Sequence, residues 1–211
     1  DDSRYVHAQH NQTVRELSPM TEIGRQTITE YLNAVSAKTS TPGGGAVAAV
    51  VAGEACALIA MVVNFTRGDD SRLQEILSRV SLSRQRLIEL ADADSVAFDQ
   101  VMRAYKGEGD LEPALINAAQ VPLEVISICR SHISDIELMM DIGNANLLTD
   151  VGIAASLIQS SLQSSQLNVM INANAMTTEK NLLTEPLAGL PTALQRLVDV
   201  LADMQNRLTC D

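Results

Sequence analysis

The sequence contains no tryptophan, and aromatic residues make up only 2% of its 211 residues. Proteins that bind single-stranded nucleic acids usually stack the bases on aromatic side chains. The net charge of −11, with a pI near 4.6, would also repel phosphate backbones and anionic membrane surfaces. We therefore expect no nucleic-acid partner and no membrane partner, whereas a small anionic ligand remains compatible with this charge.

Cysteine is scarce as well. The three cysteines, Cys56, Cys129 and Cys210, lie far apart and form no C-x-x-C pair. An odd and widely spaced set is typical of reduced thiols in a cytoplasmic protein rather than of a disulfide framework. The first residues are polar and acidic, and they do not resemble a signal peptide. Together these features predict a cytoplasmic location.

Several motifs that mark common catalytic sites are missing. The glycines at positions 43–45 belong neither to G-x-x-x-x-G-K-[ST] nor to G-x-G-x-x-G, which excludes a P-loop and a dinucleotide fingerprint. There is no G-x-S-x-G elbow and no H-E-x-x-H zinc motif. His7 and His10 have no cysteine or acidic cluster beside them, so we expect no metal site and no cofactor.

Helical spacing of apolar residues recurs along the chain, and no segment alternates strictly enough to predict a sheet. The length suits one domain with a sizeable core. We expect residues 1–19 to be a mobile tail or the remnant of an upstream or vector-derived extension, and residues 20–211 to form a single helical domain. The predicted fold is all-α, a homodimeric bundle of long helices around a buried central apolar helix.

The predicted central helix lies within residues 41–66, where three glycines at 43–45 precede an almost uninterrupted apolar run. Its free N–H groups and positive dipole end would open onto the glycines, which favours an anion or a developing negative charge there. Alternatively, the glycines only permit close packing of helices. The run is long enough to span a bilayer, but Glu54 lies near its middle and no Trp or Tyr flanks it. We therefore predict a helix buried on every side within the protein.

Residues 71–105 predict one long helix, because apolar residues recur at alternating spacings of four and three. Arg84 and Asp94 interrupt this stripe. A charge on a buried seam must be paired or used, because burying it alone is costly. Asp94 is therefore a candidate acid or base, with a structural ion pair as the alternative. His132 lies on a further apolar stripe and is expected to be a satisfied core residue.

Residues 143–150 are rich in glycine and asparagine and predict a tight loop, after which Asp150 either caps the next helix or transfers protons. The next helix, residues 151–176, carries small and polar residues on one face, including Ser161, Ser165 and Asn168. Asp150 and Asn172 would lie about 33 Å apart on an unbroken helix. They can serve one compact site only if the helix breaks or a second chain contributes one of them.

Four ordered motifs carry a family resemblance. They are residues 41–49 (TPGGGAVAA) with 61–66 (MVVNFT), residues 94–101 (DSVAFDQV), residues 143–155 with their GNAN and TDVGIAA segments, and residues 168–172 (NVMIN). In this order and spacing they resemble the formiminotransferase-cyclodeaminase family, specifically its cyclodeaminase domain. The resemblance covers about residues 24–183. It implies an all-helical homodimer that acts on tetrahydrofolate one-carbon derivatives.

The resemblance implies one of two activities, formimidoyltetrahydrofolate cyclodeaminase or methenyltetrahydrofolate cyclohydrolase. Both reactions make or open the methenyl bridge of tetrahydrofolate, and each needs proton transfer near the bridging carbon. The predicted catalytic residues are Asp94 and Asp150. The predicted substrate-binding residues are Lys38, Thr41, Pro42, Gly43, Gly44, Gly45, Asn64, Asn144 and Asn146.

A non-catalytic helical dimer that binds a folate, another small anion or a partner helix is the alternative. Two departures from the family pattern motivate it. Glu54 stands where the family usually has small apolar residues, and residues 173–178 replace a run that typically contains lysine.

Overall fold

The computed structural model describes residues 23–209, in which every regular element is a helix. The α-helices are α1 (Ile28–Ser36), α2 (Gly44–Phe65), α3 (Ser71–Tyr105), α4 (Leu111–Ser131), α5 (Ile133–Ile142), α6 (Leu148–Ala175), α7 (Asn181–Thr184) and α8 (Leu190–Thr209). Short 3-10 turns cover Ile23–Arg25, Ala145–Leu147 and Glu185–Leu187. The predicted all-α class is confirmed. The predicted tail at residues 1–19, with His7 and His10, lies outside the described residues, as does Cys210.

The core lies between α2, α3, α4 and α6, which pack against one another along most of their lengths. Large side chains such as Ile59, Leu87, Leu115 and Ile158 fill it and are almost fully buried. The buried positions of α2 are mostly alanine and glycine. Such small residues let α3 and α6 approach its backbone closely, and helix α8 then packs against α6.

Helix α2 is buried along most of its surface, but not on every side as predicted. Val47, Val50 and Met61 are only half-buried, and Glu54 is exposed on the same side of the helix. Helix α1 lines an open cleft together with Val50 and Glu54, and it has no buried residue of its own. By length and composition α2 could cross a membrane, the one described helix that could, yet 61% of its most apolar window is buried inside the protein.

Helix α3 has the predicted bounds, and the predicted stripe is its buried face over most of the helix but not throughout. Arg84 is exposed, which contradicts its placement on a buried seam. Towards the end of the helix Ala97 and Ala104 are buried, whereas Phe98 and Tyr105 are exposed. The reason is a change of neighbour: Asp94 already lies at the first turn of α2, so the rest of α3 extends beyond α2 and packs against α4.

The two cysteines within the described residues are buried and unpaired. Cys56 lies on α2, and Cys129 on α4. Burial raises the pKa of each thiol to about 12. The Cys129 thiol donates to the Ser161 hydroxyl at 3.6 Å, and that hydroxyl donates to the carbonyl of Ala48 at 2.7 Å, which ties α4, α6 and α2 together.

Candidate active site

The first turn of α2 begins without a side-chain cap of its own. Gly43 is the N-cap residue and has no side chain to accept a hydrogen bond. Instead, the N–H of Ala46 donates to Oδ2 of Asp94 on α3 at 3.0 Å. A carboxylate is well placed there, because the positive end of the helix dipole lies at this turn. Asp94 therefore caps α2 from a neighbouring helix.

The electrostatic surroundings of Asp94 keep its proton more tightly bound than in water. Burial raises the pKa of Asp94, and the hydrogen bond from Ala46 lowers it by a smaller amount. Among the described residues, Oδ1 makes no hydrogen bond, and the N–H groups of Gly44 and Gly45 have no acceptor. One free carboxyl oxygen and two free N–H donors therefore lie within a single helical turn. Such a group can transfer a proton and hold an electronegative atom.

Helix α6 lies on the other side of this turn and contributes two residues that the sequence analysis did not select as site residues. Oδ1 of Asn168 lies 4.0 Å from the point that a Cβ on Gly44 would occupy. Ser165 lies three residues before Asn168 on α6 and is completely buried, and its hydroxyl makes no hydrogen bond to any residue that the structure describes. Both lie on the small polar face of α6 noted in the sequence, so that face was the signal for them. Asn172 donates to the carbonyl of Asn168 at 2.8 Å and supports this turn of α6.

An open cleft of about 1620 Å³ adjoins the glycines, and Thr41 and Pro42 line it. Its walls come from α1, α2 and α3. Glu54 and Tyr31 both line it, and burial, followed by the charge of Glu54, raises the pKa of Tyr31. Lys38 is exposed in the loop before the glycines. The cleft is large enough for a drug-sized ligand.

The remaining predicted residues lie at the opposite end of α2. The side-chain amide of Asn144 donates to the carbonyl of Phe65 at 3.0 Å and accepts from the N–H of Asn146 at 3.1 Å. The N–H of Asn144 donates to Oγ1 of Thr66 at 3.1 Å. Asn144 thus closes the C-terminal end of α2, while Asn64 and Asn146 are exposed beside it.

Asp150 is the third residue of α6 and lies at this same end. The N-cap of α6 is Leu147, which offers no side-chain hydrogen bond. The alternative that Asp150 is a helix cap is therefore wrong. A negative charge in the first turn is still favourable, because it faces the positive end of the helix dipole.

The predicted site residues thus form two groups separated by the length of α2. The first, here called the glycine-end group, contains residues 41–45 and Asp94. The second, the asparagine-end group, contains Asn64, Asn144, Asn146 and Asp150. A helix of 22 residues is about 33 Å long. One chain does not bring the two groups together.

A third polar cluster is buried between α3 and α5. His132 Nδ1 lies 2.9 Å from Oδ2 of Asp135, and Nε2 lies 2.8 Å from Oγ of Ser83. Arg79 also donates to Asp135, at 2.5 Å. The hydrogen-bonded series Ser83–His132–Asp135 has the residue types of a hydrolase triad. However, Ser83 lies inside α3, where the neighbouring backbone N–H groups donate within the helix and cannot form an oxyanion hole. The expectation that His132 is a satisfied core residue is confirmed.

Comparison with known proteins assigns the fold and the motifs to one family. The family model for formiminotransferase-cyclodeaminase matches residues 27–185, which contain both the glycine-end and the asparagine-end group. The chain belongs to the formiminotransferase-cyclodeaminase family. The match ends before α8, and it contains the glycine-end group, the asparagine-end group and most of the residues that line the cleft.

Relatives in this family carry two kinds of name. The chain is 31% identical to a methenyltetrahydrofolate cyclohydrolase of Methylorubrum extorquens, over 72% of this chain and 82% of that protein. It is 29% identical to a mouse formimidoyltransferase-cyclodeaminase, over 71% of this chain but only 31% of the longer mouse protein. A solved structure, formiminotetrahydrofolate cyclodeaminase from Thermotoga maritima, is similar with a TM-score of 0.78 and 36% identity, covering 87% of this chain and 99% of that one.

Proposed function

We propose that this protein is a folate one-carbon enzyme that makes or opens the methenyl bridge of tetrahydrofolate. Its reaction is that of a formimidoyltetrahydrofolate cyclodeaminase or of a methenyltetrahydrofolate cyclohydrolase. The observation that carries the proposal is the Asp94 carboxyl on the first turn of α2, with its free oxygen beside two free N–H donors. The names of its relatives support the substrate class.

In the deaminase direction, N10 of the folate attacks the formimidoyl carbon and loses its proton, and the bond from that carbon to the departing nitrogen breaks. Ammonia leaves only after that nitrogen has gained two protons, one that balances the proton lost by N10 and one more from an acid. Asp94 is suited to supply it, because burial keeps the carboxyl protonated at a higher pH than in water.

In the hydrolase direction, water adds to the methenyl carbon and the bond from that carbon to N5 breaks. The water loses two protons as it becomes the formyl oxygen, N5 gains one proton, and the other is released. A single carboxyl can do both in turn, first as the base and then as the acid. The same position of Asp94 therefore suits either reaction.

We also propose that the active unit is a homodimer. The glycine-end and asparagine-end groups lie about 33 Å apart in one chain, so one compact site containing both needs a second chain. An apolar surface is present for such contact: on α6, Ile153, Leu167 and Ile171 are 50%, 71% and 67% exposed. Exposed apolar patches of this kind mark association surfaces.

A spectrophotometric assay with two substrates tests the activity. Faster loss of the methenyl absorbance than in buffer would identify a cyclohydrolase. Ammonia release from formimidoyltetrahydrofolate, with a rise in that absorbance, would identify a cyclodeaminase. If neither signal changes but the folate raises the Tm, the protein is a non-catalytic folate binder. If there is neither turnover nor stabilisation, the folate assignment is wrong.

Mixing two inactive variants tests the dimer. If each site combines Asp94 of one chain with Asp150 of the other, a dimer of Asp94→Asn and Asp150→Asn chains has one intact site. Co-refolded chains should regain about a quarter of the wild-type turnover. Light scattering that gives a stable monomer at micromolar concentration, or mixing without any regain, would contradict the shared site.

A further inference from the structure

Gly45 lies directly beneath the Asp94 carboxyl. A Cβ at Gly45 would overlap Oδ1 of Asp94 and would lie 2.5 Å from its Cγ and 2.7 Å from its Oδ2. Real Cβ atoms do not approach a neighbour that closely, so any side chain here displaces the carboxyl. The neighbouring glycines differ: a Cβ on Gly43 would lie 3.6 Å from the nearest atom, and one on Gly44 would lie 4.0 Å away. These are ordinary contacts.

The backbone itself does not require glycine at position 45. Gly45 lies within α2, and it is not among the described residues with positive φ. Glycine weakens a helix relative to alanine, so its presence in this first turn needs another reason. The structure supplies that reason: the Asp94 carboxyl occupies the space that a side chain at position 45 would need.

We propose that Gly45 is a positioning residue, whose missing side chain lets the Asp94 carboxyl rest on the first turn of α2 with Oδ1 free for the substrate. The inference rests on the proposed function insofar as it concerns turnover. It assigns the missing side chain of Gly45 to the support of Asp94, while the Gly45 N–H stays a donor for the substrate. Gly44, which is exposed and uncrowded, stays a candidate for contact with the substrate.

Displacing the carboxyl has two consequences. Asp94 loses the hydrogen bond from Ala46, and it moves out of its buried position towards water. Because burial is the larger cause of the raised pKa, that pKa should fall when the carboxyl is displaced. A shift of about 1 Å in a catalytic group also reduces turnover strongly, by about 10²-fold.

The test compares Gly45→Ala with the matched control Gly44→Ala. We expect Gly45→Ala to lower kcat by about 10²-fold and to move the Asp94 titration to lower pH, and Gly44→Ala to leave that titration unchanged. The titration is followed by ¹³C NMR of the labelled aspartate carboxyls, with Asp94→Asn to assign the signal. An unchanged titration in Gly45→Ala, or an equal shift in both variants, would overturn the inference.

A stability measurement keeps the inference testable if Gly45→Ala folds poorly. In the wild-type background Gly45→Ala should lower the Tm, because the new methyl group and the carboxyl cannot share the space. In an Asp94→Ala background the same substitution should raise the Tm, because alanine then only improves the helix. A decrease in both backgrounds would assign Gly45 to general packing. If the wild type turns over neither folate, the proposed function fails, whereas the titration and the Tm reversal still decide this inference.

Discussion

Asp94 and Asp135 are both partly or fully buried carboxyl groups on helices of the same core, yet they have opposite surroundings. Burial tends to raise the pKa of Asp135, but hydrogen bonds from His132 and Arg79 outweigh it and lower that pKa. Asp94 has no cation among its hydrogen-bonding partners within the described residues, only the N–H of Ala46, and its pKa is raised. One carboxyl is neutralised by its neighbours, and the other is left available to exchange a proton.

The difference indicates which buried carboxyl serves the structure and which serves chemistry. Removing a charge that two partners depend on damages the fold, because the partners are left unpaired in a buried place. Removing a charge that burial disfavours relieves the fold, and any loss then appears in turnover. Stability and activity should therefore respond in opposite ways at the two positions.

The largest effect is expected from Asp94→Asn. Asparagine can still accept the hydrogen bond from Ala46, but it cannot transfer a proton, so kcat should fall by about 10²-fold or more. The Tm at neutral pH should stay equal or rise, because no charge is then buried. Steady-state kinetics and a thermal scan on the same preparation check both. A variant that is destabilised while its turnover survives would reverse the assignment of Asp94.

The next largest effect is expected from Asp135→Asn. Arg79 and His132 lose the carboxylate that both contact, and the free energy of unfolding should fall by about 2 kcal/mol. Urea unfolding measures this loss. Turnover per folded molecule should remain near that of the wild type, with Arg79→Gln as a matched control for the same ion pair. A large loss of kcat in the folded protein would bring this cluster into the reaction.

The glycine-end group illustrates what the sequence could and could not predict. Asp94 was identifiable because a charge interrupted an apolar stripe, although the stripe itself changes its buried side after Asp94. The sequence could not distinguish Gly44 from Gly45, since both are glycines in one turn and only the packing of α3 decides which of them lies under the carboxyl. Asn168 and Ser165 were missed because small polar residues on a helix face fit close packing equally well.

The asparagine-end group shows a different limit. Its residues were identified as motif members, and the loop that holds Asn144 and Asn146 was predicted from its glycine and asparagine content. A pattern along one chain gives positions on helices, but it does not give the arrangement of two chains. That is why the separation along α2 follows from helix length, whereas the combination of the two groups remains a proposal.

The pH dependence of stability sharpens the comparison of the two carboxyls. The folded-state pKa of Asp135 is lowered, so its contribution is present above the unfolded value, about 3.9, and is lost as the pH falls through the folded value. The folded-state pKa of Asp94 is raised, so its contribution is present below about 3.9 and is lost as the pH rises through the folded value.

Thermal scans across this range should therefore give two opposite differences from the wild type. The Tm of Asp135→Asn should decrease less than that of the wild type as the pH falls into the acid range. The Tm of Asp94→Asn should decrease less than that of the wild type as the pH rises from about 4 towards neutrality. Variant curves that run parallel to the wild type would mean that neither carboxyl has a perturbed titration.

The smallest effect is expected at Glu54, whose carboxyl group is exposed, unlike those of Asp94 and Asp135. Replacing it with glutamine should lower the pKa of Tyr31 slightly, because burial is the larger cause of its raised value and remains in place. Turnover should change by less than about twofold, since exposed charges interact weakly. The phenolate absorbance, with Tyr31→Phe subtracted, follows the titration. A loss of turnover comparable to that of Asp94→Asn would instead assign Glu54 and the cleft to the reaction.

The buried thiols of Cys56 and Cys129 make the opening rate of the core measurable by thiol labelling. With a pKa of about 12, almost none of either thiol is ionised at neutral pH, and the thiolate is the form that reacts. A thiol reagent can therefore modify these positions only when α2 and α4 separate. In a protein whose Cys210 is replaced by serine, the labelling rate would measure how often the core opens, and it would report the stability differences described above without any denaturant.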